Sequence, residues 1–171
     1  MQTILIAGAG RGIGLEMTRQ IIARGDRAIA TARNHDRPGP LRALIDGAPG
    51  SRLEELDVTD PASCAALAAT LEGEEIDAMI CNAGVYEGRG GIDDPSHTAE
   101  AWTRTLITNA AGPFFVIRAL RGLLKHPGAR IGIVSSKMGS QQIANGGGYA
   151  YRASKAAATN LARNLARDLA P

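Results

Sequence analysis

Tyr151 and Lys155 stand four residues apart in the stretch YAYRASK, residues 149–155. On a helix that spacing puts both side chains on one face. A phenol ordinarily titrates near pH ~10, and a neighbouring ammonium favours the phenolate and lowers that value. The pair is therefore a tunable proton donor for an oxygen near neutral pH. Tyr149 lies two residues before Tyr151 and points elsewhere, as a pocket wall or core residue. Tyr-x-x-x-Lys alone is common on helices, so its meaning depends on what accompanies it.

A second chemical feature lies near the start, in IAGAGRGIGLE. Gly8, Gly12 and Gly14 give a tight turn, let a backbone approach a pyrophosphate, and aim a helix N-terminus at negative charge. The common G-x-G-x-x-G pattern fails here, because Ile13 falls where its third small residue should be. The second strand, in AIATARN, ends on Ala32 and Arg33, with no carboxylate for ribose hydroxyls. Arg33 and Arg11 are two guanidinium groups suited to a 2′-phosphate. NADP(H) is therefore the expected cofactor, with NAD(H) possible.

These residues need elements to position them. Apolar runs at Thr3–Ala7, Ala28–Thr31, Leu53–Leu56, Ala78–Cys81 and Ile131–Val134 read as strands. Helical stretches fall at Gly12–Arg24, Pro40–Ile45, Pro61–Leu71 with Asp60 as its cap, Ala99–Leu124, and Tyr149–Leu169. Strands alternating with helices predict an α/β fold with a doubly wound parallel sheet, a Rossmann fold, forming a single domain over residues 1–171. Tyr86–His97 and Gly139–Gly148 read as loops. The chain ends at NLARDLAP, as a helix would finish, leaving the last strand exposed unless something covers it.

Bulk properties narrow the classes. With 44% hydrophobic and 21% charged residues and a net charge of +2, the chain is globular and lacks a nucleic-acid surface. No apolar run reaches membrane-span length, and residues 1–10 lack a secretory signal pattern. Cys64 and Cys81 read as buried cytosolic thiols. His35, His97 and His126 have no ligand spacing, so no metal site is expected. Trp102 reads as core or interface.

Six stretches together resemble the short-chain dehydrogenase/reductase family: GAGRGIG at 8–14, LDVTD at 56–60, CNAG at 81–84, ITNAAG at 107–112, IVSS at 133–136 and YRASK at 151–155. They follow the family's order along essentially the whole chain. SSKMGS and GGYAYRASKAA are most similar to its C-factor and sniffer type of carbonyl reductase. The resemblance implies that Gly8, Arg11, Gly12, Ile13, Gly14 and Arg33 bind the cofactor, with Asp57 and Val58 at its adenine end. Asn82, Ala83 and Gly84 line the edge beside the nicotinamide-side ribose. Asn109 kinks the long helix and holds a water that orders Lys155. Lys155 binds ribose hydroxyls and depresses the Tyr151 pKa. Tyr151 donates a proton to a carbonyl oxygen as hydride arrives, and Ser136 holds that oxygen. The substrate is then a small carbonyl compound or alcohol. Helices Ala99–Leu124 and Tyr149–Leu169 commonly form a dimer face in this family, which implies a cytoplasmic homodimer.

Ala7 stands where the family usually has Thr, removing one hydrogen bond from the turn. Ser136 precedes Tyr151 by 15 residues, slightly more than is usual, so Ser135 and Ser140 stay open as alternatives. The family normally continues with a further strand, a substrate-covering segment, a helix and a last strand, so the resemblance implies a C-terminally incomplete fold. An NAD(P)-binding regulatory protein without turnover, or an inactive truncated member, are the alternative functions.

Overall fold

A computed structural model of the chain describes residues 1–33 and 39–170; His35 lies outside the described residues. Five strands, β1 (Thr3–Ala7), β2 (Arg27–Ala32), β3 (Arg52–Glu55), β4 (Ala78–Cys81) and β5 (Arg130–Ile133), form one sheet in the order β3-β2-β1-β4-β5. β1 pairs in parallel with β2 on one side and β4 on the other, with Ile4 opposite both Ala28 and Ala78. This is the doubly wound order whose strand sequence reverses at β1, and ligands of such sheets bind outside the strands' C-terminal ends at that reversal. All five residues of β1 are buried, which explains its unbroken apolar run.

The helices are α1 (Gly12–Ala23), α2 (Pro40–Asp46), α3 (Pro61–Thr70), α4 (Ala99–Leu106), α5 (Gly112–Leu120) and α6 (Tyr149–Asp168). Asp60 caps α3 by accepting a hydrogen bond from Ala62 N at 2.8 Å, and Pro61 occupies the first turn, where a missing N–H costs nothing. The helix expected over Ala99–Leu124 is divided. A π-helical segment, Ile107–Ala111, separates α4 from α5, and a short 3₁₀ turn follows at Arg121–Leu123. The cause is in the sequence: Pro113 has no N–H to donate to the carbonyl of Asn109, so regular α pairing fails there.

Packing divides the chain into two bodies, Met1–Ala83 with Phe115–Gly132, and Gly84–Phe114 with Ile133–Pro171. In the first, Ile4 and Ile6 of β1 and Ala28 and Ala30 of β2 pack with Ile21, Leu41 and Ile45 of α1 and α2. Cys64 and Cys81 are buried there, and burial pushes their thiols up to about 11 and about 12. In the second, Ala101, Thr105, Thr108 and Asn109 are buried along α4 and the π segment, and Ala150, Ser154, Lys155 and Ala158 along α6. Small side chains on these faces let helices pack closely. Among the described residues no helix is long and apolar enough to cross a membrane.

In the first body Arg27 donates to both carboxylate oxygens of Glu74 at 3.0 Å, and Arg52 adds a third contact at 3.3 Å. The Arg27 hydrogen bonds hold the Glu74 carboxyl below the ordinary carboxylate range. A depressed carboxyl contributes stability that is complete above its unfolded value and is lost as pH falls through the folded one. Glu74→Gln should therefore cost ~1 kcal/mol at neutral pH and almost nothing in acid. Urea unfolding at the two pH values measures the difference; an equal loss at both would show that charge is not its source.

Candidate active site

The glycine turn between β1 and α1 is held from three directions, all within the first body. Gly8 has φ +91°, and a side chain there would come within 2.7 Å of the Ala83 backbone. A side chain on Gly14 would collide with the Gly8 carbonyl and with Asn82 Nδ2. Asn82 Nδ2 donates to that carbonyl at 2.7 Å, while the N–H groups of Asn82 and Ala83 both donate to Ala7 O, at 3.0 and 2.8 Å. Gly12 differs: its φ is +58°, yet a side chain there would meet nothing within 4 Å. The turn is tight against the sheet and open on its outer side.

That open side suits an anion. Arg11 is the N-cap residue of α1 but provides no side-chain cap, and the first turn carries no acid. The helix's own first turn therefore offers no counter-group to its positive end and N-terminal amides. Arg11 and Arg33 are exposed, as is Ile13, and Val58 is buried. Asp57 Oδ1 accepts from Thr59 N at 2.9 Å and Thr59 Oγ1 at 2.7 Å, which shapes the turn after β3. The donors and the space fit a phosphate-bearing cofactor.

The proton-transfer candidates lie together in the second body. Asn109, 1% exposed, sits in the π segment. Its Oδ1 accepts from Val85 N at 2.8 Å, and its Nδ2 donates to Val85 O at 2.8 Å and to Ser154 Oγ at 2.9 Å. Ser154 Oγ in turn donates to Tyr151 O at 2.8 Å. Lys155, 4% exposed, donates from Nζ to Val134 O at 2.7 Å, with Nζ 5.7 Å from the centre of the Tyr151 ring. Burial lowers the lysine pKa. Tyr151 stacks on Tyr86, ring centres 4.3 Å apart and planes inclined by 16°. Tyr149 instead meets the His97 ring edge-on at 5.4 Å. Gly84 is exposed at the entrance to the Val85 segment.

The three serines differ in what they bind. Ser135 Oγ donates to Lys155 O at 3.2 Å and lies 2.9 Å from Thr159 Oγ1, so it faces α6. Ser136 Oγ accepts from Met138 N at 3.2 Å and begins the 3₁₀ turn Lys137–Gly139. Ser140 Oγ accepts from Gln142 N at 3.3 Å. Ser136 and Ser140 keep their hydroxyl protons for another acceptor. Gly139 brings the Ser136 turn onto α6, because a side chain there would come within 2.7 Å of the Lys155 backbone.

Four residues outside the sequence-based set belong to this architecture. Thr31 Oγ1 accepts from Gly8 N at 3.2 Å and donates to Ile6 O at 3.1 Å, so β2 supplies the turn hydrogen bond that Ala7 lacks. Ser154 joins Asn109 to the Tyr151 carbonyl. Tyr86 covers the Tyr151 ring. Arg152 donates to the carbonyls of Gly147 at 2.9 Å and Ile143 at 2.8 Å, and to Asn145 Oδ1, which ties the loop before α6 to the helix carrying Tyr151. Ser154 was marked by its place three residues after Tyr151 on the inner face of α6; the others carry no local signal.

Residues 2–171 match the family model for short chain dehydrogenase. The chain is 37% identical, over 99% of its length, to the 1-hydroxy-2-glutathionyl-2-methyl-3-butene dehydrogenase of Rhodococcus sp. (strain AD45), of which it covers 72%. It is 33% identical, over 97% of its length, to the NADP-dependent 3-hydroxy acid dehydrogenase of Salmonella typhi, of which it covers 66%. The chain thus spans about two thirds of the length of such curated relatives. A short-chain dehydrogenase/reductase structure from Burkholderia multivorans with bound NADP superposes with a TM-score of 0.89 at 36% identity, covering 98% of this chain and 73% of that one.

The Thr31 contacts make a direct test of the turn. Thr31→Val removes an acceptor from the Gly8 N–H in a buried site and should cost ~1–3 kcal/mol. Denaturant unfolding of this variant beside Thr31→Ser, which keeps the hydroxyl and lacks the methyl group, measures it; an unchanged stability in Thr31→Val would show that the hydroxyl does not hold the turn.

Proposed function

We propose a function from one premise: the chain belongs to the short-chain dehydrogenase family. On that premise the protein is an NADP(H)-dependent oxidoreductase that reduces a carbonyl, or oxidises the corresponding alcohol, with Tyr151 as proton donor. It acts as one nucleotide-binding domain and as a cytoplasmic homodimer, of the C-factor and sniffer type of carbonyl reductase. The observation that carries the reading is the buried Asn109–Ser154–Lys155 cluster below Tyr151, a set of polar groups that a packed helix pair would otherwise exclude.

Each body has its part. Gly8, Gly12, Gly14 and the α1 N-terminus receive the pyrophosphate, and Arg11 and Arg33 the 2′-phosphate. Asp57 and Val58 hold the adenine end, while Ile13, Asn82, Ala83 and Gly84 border the nicotinamide side. When bound, the nicotinamide supplies the hydride for reduction or accepts it in oxidation. The chain's own residues manage the proton. Val134 O takes one of the three Lys155 N–H groups, leaving two for ribose hydroxyls. Ser136 donates its hydroxyl proton in a hydrogen bond to the substrate oxygen, and Tyr151 O–H transfers its proton to that oxygen as negative charge develops there. Asn109 fixes the π segment and orders water toward Lys155. In the oxidative direction Tyr151 receives the proton.

NADPH should bind at least tenfold tighter than NADH, about 1.4 kcal/mol, and Arg33→Ala should reduce that preference mainly by weakening NADPH. Equal affinities in the parent chain would refute the phosphate assignment. A light-scattering mass of two chains is expected at micromolar concentration, and a mass of one chain would remove the dimer.

Tyr151→Phe should leave NADPH binding nearly intact and lower turnover by the ~10²–10⁴-fold that general acid catalysis contributes. Tyr149→Phe should do far less, because its ring faces His97. Lys155→Ala should weaken both binding and turnover. Assays across ketones, aldehydes and quinones measure these effects; comparable losses from the two tyrosine changes would sink the assignment. NADPH binding without turnover on any carbonyl would favour the regulatory alternative.

A further inference from the structure

A cavity of about 510 Å³ opens in the second body between the start of the loop Tyr86–His97 and α4. Tyr86 is one of its walls and also the ring stacked on Tyr151. Four charged side chains line it: Glu87, Arg89, Asp94 and Arg104. Three of them are engaged locally. Arg104 Nε donates to both carboxylate oxygens of Glu87, at 2.8 and 3.0 Å. Asp94 Oδ1 accepts from Ser96 N and Ser96 Oγ, at 2.8 and 2.5 Å.

Arg89 differs. Its guanidinium lies over the Tyr86 ring, 4.8 Å from the ring centre, and it has no carboxylate partner among the described residues. Tyr151 occupies one face of Tyr86, its ring centre 4.3 Å away, so the guanidinium takes the other face and the Tyr86 ring lies between it and the candidate proton donor. Stacking on an aromatic face orients a guanidinium while leaving its N–H edge free.

The backbone that carries Arg89 is also fixed. Gly88 is buried with φ +61°, and a side chain there would come within 2.6 Å of His97 Nδ1. His97 Nε2 lies 2.9 Å from Gly91 O and 3.2 Å from Gly90 O. Two carbonyl neighbours require Nε2 to carry the proton. Gly148 N donates to Gly90 O at 3.2 Å from the other side. An exposed arginine on such a pinned loop loses little freedom on meeting a ligand, which is the condition for useful affinity.

We propose that Arg89 is the specificity-determining residue of this site and that the substrate carries an anionic group, as an oxo acid or hydroxy acid whose carboxylate lies a few bonds from the reacting carbon. The carboxylate accepts hydrogen bonds from the Arg89 guanidinium while the carbonyl or hydroxyl oxygen meets Tyr151. The proposal rests on the reading of Tyr151 as proton donor, and it adds a substrate class to it.

Binding and turnover test the two separately. Acetoacetate and laevulinate are each compared with their methyl esters, which keep the ketone and remove the charge. Dissociation constants come from ligand-observed NMR on the full chain with NADP present, and rates from loss of NADPH absorbance. At least one acid should bind about tenfold tighter than its ester. Arg89→Ala should abolish that difference by weakening the acid alone, and Arg89→Lys should keep part of it. Acid and ester binding alike, or equal weakening of both by Arg89→Ala, would overturn the proposal. Arg89-dependent acid binding without NADPH consumption would keep the anion site and refute the oxidoreductase reading. Equal reduction of acid and ester, unchanged in Arg89→Ala, would do the reverse.

Discussion

The amide of Asn109 joins the groups on which the candidate proton-transfer site depends. It closes a two-way pair with the Val85 backbone, accepting from its N–H and donating to its C=O, and spends its remaining proton on Ser154. One side chain thereby ties the segment leaving β4 to helix α6. The position is buried, so every one of these groups needs a partner, and losing one leaves a desolvated donor or acceptor behind. The break in the long helix makes the arrangement possible. Pro113 withdraws the N–H that would have continued the α pattern at Asn109, and the wider π turn aims the amide sideways.

The glycine turn follows the opposite strategy, keeping side chains out. Gly8 and Gly14 leave no room for a methyl group, while Gly12 faces open space. Backbone amides and a helix N-terminus are thus presented to an anion, and the first turn of α1 carries no acid to compete. The hydrogen bond missing at Ala7 is made by Thr31 from the neighbouring strand. The same requirement, an acceptor for the half-buried Gly8 N–H, is met from a different place in the chain.

Lys155 shows the balance between burial and charge. Burial lowers its pKa, which disfavours the ammonium form. The Val134 carbonyl partly offsets that cost with a short hydrogen bond to the charged form. The stack of Arg89, Tyr86 and Tyr151 adds a further cation at the rim of the same body, held by π contact.

The sequence alone determined the strands, their alternation with helices, and the glycine and Tyr-x-x-x-Lys spacings, because each is a local pattern with a local physical cause. β1 and β4 lie at their predicted bounds, and the other three strands and most helix ends shift by one residue, where capping geometry decides the last hydrogen bond. Pro113 was visible as well, although the length of the apolar pattern concealed the break it makes. The tertiary structure decided the rest: Thr31 serving Gly8, Asn109 meeting Ser154, Tyr86 covering Tyr151, and Arg152 gathering the loop that precedes its own helix. These contacts join residues from different strands, loops and helices. Their partners are chosen by burial and by the demand that every buried polar group be satisfied, and no spacing along the chain encodes that choice.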